Sequence, residues 1–210
     1  MKNNLIYTFF TIFTLTNCIS QNINYGIKAG VNISSFEGSI TNKSLIGPQV
    51  GGFAEIKLND KLTIQPELLL SLQGAEFEYS LRQNFYEPIS QKRLKISLYY
   101  LNLPITVKYN FIDKFSIIAG PQIGYLIKAT QKNKSNQFEI LNSSDETDIK
   151  NLYKTISYSF NLGLNYNITE EIFADVRYNY GLSNILNGNN TLFGTGLKNN
   201  VIQFSIGYRL

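Results

Sequence analysis

The sequence lacks several residue types on which enzyme chemistry depends. Its 210 residues contain no histidine and no tryptophan, and Cys18 is the single cysteine. The absence of histidine excludes a Ser-His catalytic pair, imidazole acid–base catalysis and histidine metal ligation. One cysteine cannot form an intramolecular disulfide framework. We therefore expect no enzymatic activity, no cofactor and no metal site.

Charged residues are also scarce. They make up 16% of the chain, compared with roughly 25% in an ordinary soluble domain. Hydrophobic residues make up 43%, and the 14 tyrosines and 14 phenylalanines favour strands. The net charge of +4 is spread along the chain without a run of Lys or Arg, so we expect no nucleic-acid partner. This composition argues against an exterior that faces water.

Residues 1–20, MKNNLIYTFFTIFTLTNCIS, have the features of a secretory signal peptide. A basic Lys2 precedes an apolar stretch that is too short to cross a bilayer as a helix, and Cys18-Ile19-Ser20 is a small-x-small ending. We predict cleavage after Ser20 and a single domain over residues 21–210. Lipid attachment at Cys18 is the alternative, although Asn17 stands where such sites have Gly, Ala or Ser.

The chain alternates between apolar and polar residues in eight segments after the signal peptide. In TISYSFNLGLNYN, residues 155–167, every second residue is large and apolar, and those between are small or polar. This period of two predicts strands, and no segment has a helical period. The predicted strands span residues 25–34, 49–58, 62–75, 98–109, 115–128, 155–167, 174–183 and 201–210.

The predicted connections alternate in length. Short turns follow the second, fourth and sixth strands, and long polar connections follow the others at residues 35–47, 79–93, 131–151 and 184–200. Both chain ends lie on the side of the short turns. This layout is typical of an up-and-down β-barrel that crosses an outer membrane.

The charged residues of the strands all fall on the polar face, interleaved with glycines. They are Lys28, Glu55, Lys57, Glu67, Lys108, Asp175, Arg177 and Arg209. Small residues between long charged ones suit the lumen of a narrow barrel. We therefore predict an all-β fold, an eight-stranded antiparallel up-and-down transmembrane β-barrel with a lipid-facing apolar exterior. Because unpaired buried charge is costly, these side chains should pair and plug the polar lumen, which excludes a general porin.

Aromatic residues bracket the apolar face at a regular distance. Tyr99 and Tyr109 are ten residues apart, as are Phe115 and Tyr125. At about 3.3 Å per residue and a tilt of about 40°, this spacing rises about 25 Å, the height of the apolar band between two aromatic girdles. Tyr166 and Tyr208 complete the predicted girdles.

Several segments resemble the PorT-like outer-membrane β-barrel domain family of Bacteroidota-type Gram-negative bacteria. They are YGIKAGVNISSF, YYLNLPITVKYNF, SIIAGPQIGYLI, DVRYNYGLSNI and QFSIGYRL, and the resemblance extends over residues 24–210. Tyr100-Leu101-Asn102-Leu103-Pro104 is its most specific motif. Family members usually end in an aromatic residue that the barrel insertion machinery recognises, whereas this chain ends in Leu210. The resemblance therefore implies that Tyr208 is recognised instead. The resemblance implies a location in the outer membrane and lipid as the surrounding partner.

Three function classes remain open from the sequence. The first is a structural or adhesive barrel whose long extracellular loops bind partners. The second is an accessory component of a protein-secretion or envelope-assembly machine, since some members of the family are associated with secretion. The third is a soluble exported lipid-binding barrel with its apolar face inside. We expect a monomer surrounded by outer-membrane lipid, with other envelope or secretion proteins as further partners.

Overall fold

A computed structural model of the chain describes residues 23–37, 43–81, 90–135, 146–188 and 196–210, with the side chains of 79–81, 90–92 and 133–135 excepted. The predicted signal peptide lies outside the described residues. The strands are β1 (Ile23–Glu37), β2 (Lys43–Lys57), β3 (Leu62–Leu81), β4 (Ser90–Ile112), β5 (Phe115–Ser135), β6 (Glu146–Asp148), β7 (Ile156–Asn167), β8 (Ile172–Gly181) and β9 (Lys198–Arg209). A 3₁₀ turn at Lys150–Leu152 follows β6. In the part of the chain described here, no helix is long and apolar enough to cross a membrane.

Eight of the strands form a closed antiparallel ring. Each strand pairs with its neighbour along the chain, β9 pairs with β1, and β4 pairs with β5. The short strand β6 lies outside the ring and pairs with β5. The predicted eight-stranded antiparallel barrel is therefore confirmed. In the closed ring, every strand pairs with a neighbour on each side. A sheet inside a bilayer needs this pairing, because no water is present to satisfy unpaired backbone groups.

The apolar face of the ring is its exterior. Ile156, Phe160 and Leu164 of β7 are 47%, 42% and 54% exposed, whereas Asn161 between them is fully buried. The same alternation runs along the other strands of the ring. Because the large apolar side chains point outward, the alternative of a soluble barrel with an apolar interior is wrong.

The strands β3, β4 and β5 are longer than the sequence predicts. They contain 20, 23 and 21 residues, compared with 12, 10 and 12 in β7, β8 and β9. Some residues that the sequence predicts in long connections belong to these strands instead. From the predicted connection 79–93, residues 79–81 belong to β3 and residues 90–93 belong to β4. The connection predicted at 35–47 shortens to 38–42, because β1 extends to Glu37 and β2 begins at Lys43. We call the end with the turns 58–61, 113–114 and 168–171 the short-turn end, and the opposite end the long-loop end.

Two kinds of irregularity interrupt the ladders. Tyr99 pairs with Lys128 and Tyr100 pairs with Leu126, so Ile127 is an extra residue in β5. This bulge turns Lys128 to the exterior, although strict alternation predicts it on the lumen face. The prolines of β3 and β4 lie beside gaps in the register, for example between Pro104–Gln122 and Val107–Ala119. A proline cannot donate to a ladder, and the gaps accommodate this loss.

Candidate functional site

Four charged side chains form a closed cluster in the middle of the lumen. Lys28 Nζ lies 2.7 Å from Asp175 Oδ2 and 3.3 Å from Glu67 Oε2. Arg177 Nη2 lies 2.6 Å from Glu67 Oε1 and 3.1 Å from Asp175 Oδ2. No side chain of the four is more than 1% exposed. Two positive and two negative side chains make this tetrad electrically neutral. Each charge also contacts two charges of opposite sign, which offsets the free-energy cost of burying it.

A second charge cluster, the triad, lies nearer the short-turn end. Glu55 accepts a hydrogen bond from Lys108 at 2.6 Å and from Arg209 Nε at 2.8 Å. The ring of Phe173 lies beside both cations, 4.3 Å from Lys108 Nζ and 4.8 Å from the guanidinium carbon of Arg209. Phe53 packs edge-on against Phe173 with 5.3 Å between the ring centroids. The triad carries one excess positive charge, which the aromatic faces attract.

Glycines make room for these two rings. A Cβ built at Gly26 would collide with the ring of Phe53, and a Cβ at Gly207 would collide with the ring of Phe173. In a barrel of eight strands the interior is only wide enough for side chains to fill. The two aromatic rings therefore explain why Gly26 and Gly207, on the polar face, have no side chain.

Neutral amides and hydroxyls fill the next level toward the long-loop end. Asn32 and Gln73 both donate to Ser71 Oγ at 2.8 Å, and Asn199 donates to Gln73 Oε1 at 2.6 Å. On the opposite wall, Asn179 donates to Asn161 Oδ1 at 2.9 Å. Buried polar groups of this kind need partners, and this network supplies many of them.

An apolar core covers the amide layer at the long-loop end. It joins inward-facing strand residues to side chains of two connections, which the structure describes over 149–155 and over 182–188 and 196–197. Its members are Phe36, Ala75, Ile96, Leu98, Tyr100, Leu126, Ala129, Ile149, Tyr153, Ile185, Leu186 and Leu197, all less than 9% exposed. We call this group the apolar cap. Burial in it raises the pKa of the Tyr153 phenol.

Backbone hydrogen bonds fasten the two connections of the cap to each other. Lys154 N donates to Ile185 O at 2.8 Å, and Asn187 N donates to Leu152 O at 2.9 Å. The side-chain Nδ2 of Asn187 also donates to Tyr153 O at 2.9 Å. The sequence does not predict this cap, because its connections have no periodicity. The only signal is the presence of isolated large apolar residues in otherwise polar segments.

The structure brings seven of the eight predicted lumen charges into the tetrad and the triad. Lys57 is the exception, because it is exposed as the last residue of β2 and lies at the short-turn mouth rather than inside. The six aromatic residues predicted as girdles all lie on the exterior, between 38% and 49% exposed. Phe115 and Tyr166 pair across β5 and β7 with ring centroids 4.7 Å apart.

A cavity of about 810 Å³ opens at the short-turn end. The triad lies at its inner end, and Asn165 lines it together with residues of the turn 168–171. The tetrad and the filled levels beyond it separate this cavity from the long-loop end. Among the described residues, no group of three His, Cys, Asp or Glu side chains could hold a metal ion.

The long-loop end carries more positive than negative charge. Among its described side chains, eight are basic and five are acidic, whereas the exposed rim of the short-turn end has three basic and four acidic residues. Glu146 lies between Lys132 and Lys128, at 3.0 Å and 3.2 Å. Hydrogen bonds from these two lysines lower the pKa of Glu146 to about 2.

Most of the chain matches a known protein family. Residues 19–187 match the family described as outer membrane protein beta-barrel domain. No curated protein sequence matches the chain. Among solved structures, the attachment invasion locus protein Ail of Yersinia pestis is 12% identical, with a TM-score of 0.45 over 89% of this chain and 98% of that chain. Neisserial surface protein A is 12% identical, with a TM-score of 0.49 over 90% and 97%. CarO of Acinetobacter baumannii is 7% identical, with a TM-score of 0.43 over 87% and 97%.

The family match includes seven of the eight ring strands and the tetrad. The closed ring and the apolar exterior are the structure that such a domain requires. The chain belongs to the outer membrane protein β-barrel domain family, and it is an outer-membrane protein embedded in lipid.

Proposed function

We propose that this protein is a plugged barrel that displays an interaction surface at the long-loop end, on the outside of the cell. The role is structural or adhesive rather than catalytic, and the protein acts as a monomer. The observation that carries the proposal is that the lumen is filled at successive levels while β3, β4 and β5 continue beyond the membrane band. The outer parts of these three strands thus project from the membrane, whereas the filled lumen leaves no open path through the barrel.

The filled lumen argues against transport through the barrel. An ion or solute that enters from the short-turn end meets the triad, the tetrad, the amide layer and then the apolar cap. Eight-stranded barrels have room inside for side chains but not for an aqueous channel of porin size. In planar bilayers we expect no conductance steps of the size that a sixteen-stranded pore gives. Steps of that size would refute a plugged barrel.

The extension of β3, β4 and β5 supports the display of a binding surface. The exterior apolar band ends on β4 at Tyr99, and β4 begins nine residues earlier at Ser90. Nine residues of strand correspond to about 30 Å along the strand. Exposed polar side chains lie at this level, such as Glu78, which binds Lys43 at 2.8 Å and Arg93 at 2.9 Å. Rigid strands present such side chains in fixed positions, which favours specific binding.

A shortened variant tests the proposal. Phe77 and Leu94 are partners in the β3–β4 register, so residues 78–93 can be replaced by Asn-Gly, which forms a two-residue hairpin turn. Cells that display the parent protein should bind to an array of immobilised glycans and matrix proteins more than cells without it. The shortened variant should lose this binding and still shift on a gel when heated, as a folded barrel does. Unchanged binding would refute the assignment of the surface to β3 and β4.

Protease treatment of intact cells tests the orientation. Because residues 131–151 lie at the long-loop end, cleavage within them should occur on intact cells, whereas the turn 168–171 should be cut only after the outer membrane is opened. The reverse pattern would show that the barrel is inserted in the opposite direction.

Assignment to the PorT-like branch of the family is part of this proposal. Its support is the Tyr100-Leu101-Asn102-Leu103-Pro104 motif, in which Pro104 lies beside a gap in the β4–β5 register. Loss of exported proteins in a deletion strain would favour the secretion role over the adhesive one.

A further inference from the structure

Four lysines gather at the edge of the apolar band where β5 meets the connection to β7. Lys128 and Lys132 project from β5, and their side chains are 54% and 39% exposed. Lys150 follows β6, and Lys154 precedes β7 and is exposed. With Glu146 and Asp148 as the two acidic members, this basic patch has an excess of two positive charges.

Backbone pairing holds these lysines beside β5. Ile149 N donates to Ala129 O at 3.0 Å, which places Lys150 next to the level of Lys128. Leu126 N donates to Thr155 O at 2.8 Å, which places Lys154 beside the bulge residue Ile127. Without the bulge, Lys128 would face the lumen, so the irregularity itself adds a cation to the exterior.

The basic patch continues directly into the lipid-facing surface. Tyr125 and Ile156 are partners in the β5–β7 register and are 49% and 47% exposed. Ile127, beside Lys128, is 45% exposed. Cations above an apolar surface match a molecule that has negative charge at one end and hydrocarbon at the other.

The two ends of the barrel differ in a way that favours this match. The exposed rim of the short-turn end has one more acidic than basic residue, so it lacks the excess of positive charge. Lysine acts on phosphate as a compact charge with three donors, which suits a cluster that surrounds several phosphate oxygens.

We propose that the basic patch binds the phosphate groups of an anionic membrane lipid whose acyl chains lie against Tyr125, Ile127 and Ile156. This inference concerns the lipid around the barrel and is independent of a partner for the extended strands. Both phosphate charge and hydrocarbon contribute, so a phosphorylated lipid should bind better than free phosphate.

Native mass spectrometry of the protein in a neutral detergent tests the proposal. Diphosphorylated lipid A should bind more tightly than its monophosphorylated form. The variant Lys128→Gln/Lys154→Gln should bind diphosphorylated lipid A about thirtyfold more weakly, from about 1 kcal/mol for each lysine at a membrane surface. The matched control Lys61→Gln/Lys114→Gln, which removes the same charge from the short-turn end, should bind as the parent does.

Glu146→Gln should change lipid binding in the opposite direction, so it distinguishes an effect on binding from a loss of structure. It removes the carboxylate that occupies Lys128 and Lys132, and it should tighten binding of diphosphorylated lipid A about fivefold. Weaker binding by Glu146→Gln would overturn the proposal, as would an equal loss in the control variant. Full competition by an equal concentration of inorganic phosphate would assign the patch to free anions and overturn the lipid as its ligand.

Discussion

The tetrad predicts a strong energetic coupling between Arg177 and Glu67. In Arg177→Met, Lys28 is the one cation of the tetrad that remains for Glu67 and Asp175, so one negative charge stays buried without compensation. In Glu67→Gln, one positive charge is left over in the same way. Breaking a buried ion pair from one side costs about 3–5 kcal/mol.

The double variant Arg177→Met/Glu67→Gln should recover much of this loss. It removes one charge of each sign and leaves Lys28 and Asp175 paired at 2.7 Å. Its free energy of unfolding should therefore exceed the additive expectation by about 2–3 kcal/mol, at the upper end of coupling between contacting residues. An exposed pair provides the matched control, since Lys43, whose side chain is 63% exposed, binds Glu78 at 2.8 Å. We expect Lys43→Met to cost less than about 1 kcal/mol.

The assay is urea unfolding of the barrel in lipid vesicles. Because the chain has no tryptophan, far-ultraviolet circular dichroism and the heat-dependent shift on a gel report the folded fraction. The reasoning would be refuted if Arg177→Met cost no more than Lys43→Met, or if the double variant lost the full sum of the two single losses.

Three further predictions concern other levels of the structure. Gly207→Ala should destabilise the barrel by about 1–3 kcal/mol through overpacking against the ring of Phe173, and adding Phe173→Leu should restore part of the loss in the same urea assay. Leu197→Ala removes a fully buried side chain of the apolar cap and should cost about 2–5 kcal/mol locally, seen as faster cleavage of the long-loop end by protease while the ring still shows its heat shift. The pKa of Glu146 falls from 4.5 to about 2, so its ion pair with Lys132 stabilises β6 above pH 4.5 and is lost as the pH falls through 2. Hydrogen-exchange protection of the β6 amides should decline over that range, and constant protection would contradict this origin of the pKa shift.

The sequence predicted the strands of the ring because they follow from a period of two, and it predicted which face lies outside because charges and glycines share the polar face. Ile156, Phe160 and Leu164 face outward, and Lys28 and Glu67 face inward, as a narrow lumen lined by charges and glycines requires. Which charges meet could not be predicted, since it depends on the register and on the curvature of the closed sheet. The register also decides that Phe173 lies beside Lys108 and Arg209.

Two features had weak or misleading signals in the sequence. The apolar cap combines Tyr153 and Leu197 from connections without periodicity, and only the topology brings them together. In the outer parts of β3 and β4, Phe77, Leu94 and Ile96 stand among charged and polar residues, so these segments read as polar connections although ladder hydrogen bonds hold them as strands. The bulge at Ile127 shifts the alternation by one residue, which is why Lys128 departs from its predicted face.

The ion pairs of the lumen also bear on how the barrel assembles. Arg177 and Glu67 are 110 residues apart in the chain, and Arg209 and Glu55 are 154 residues apart. In an unclosed sheet these side chains remain in water, and contacts of such long range form late in folding. The charged side chains must then lose their hydration and gain their partners at the step in which β1 and β9 pair. Closure of the cylinder should accordingly be all-or-none, with half-inserted sheets returning to the aqueous side rather than accumulating in the bilayer.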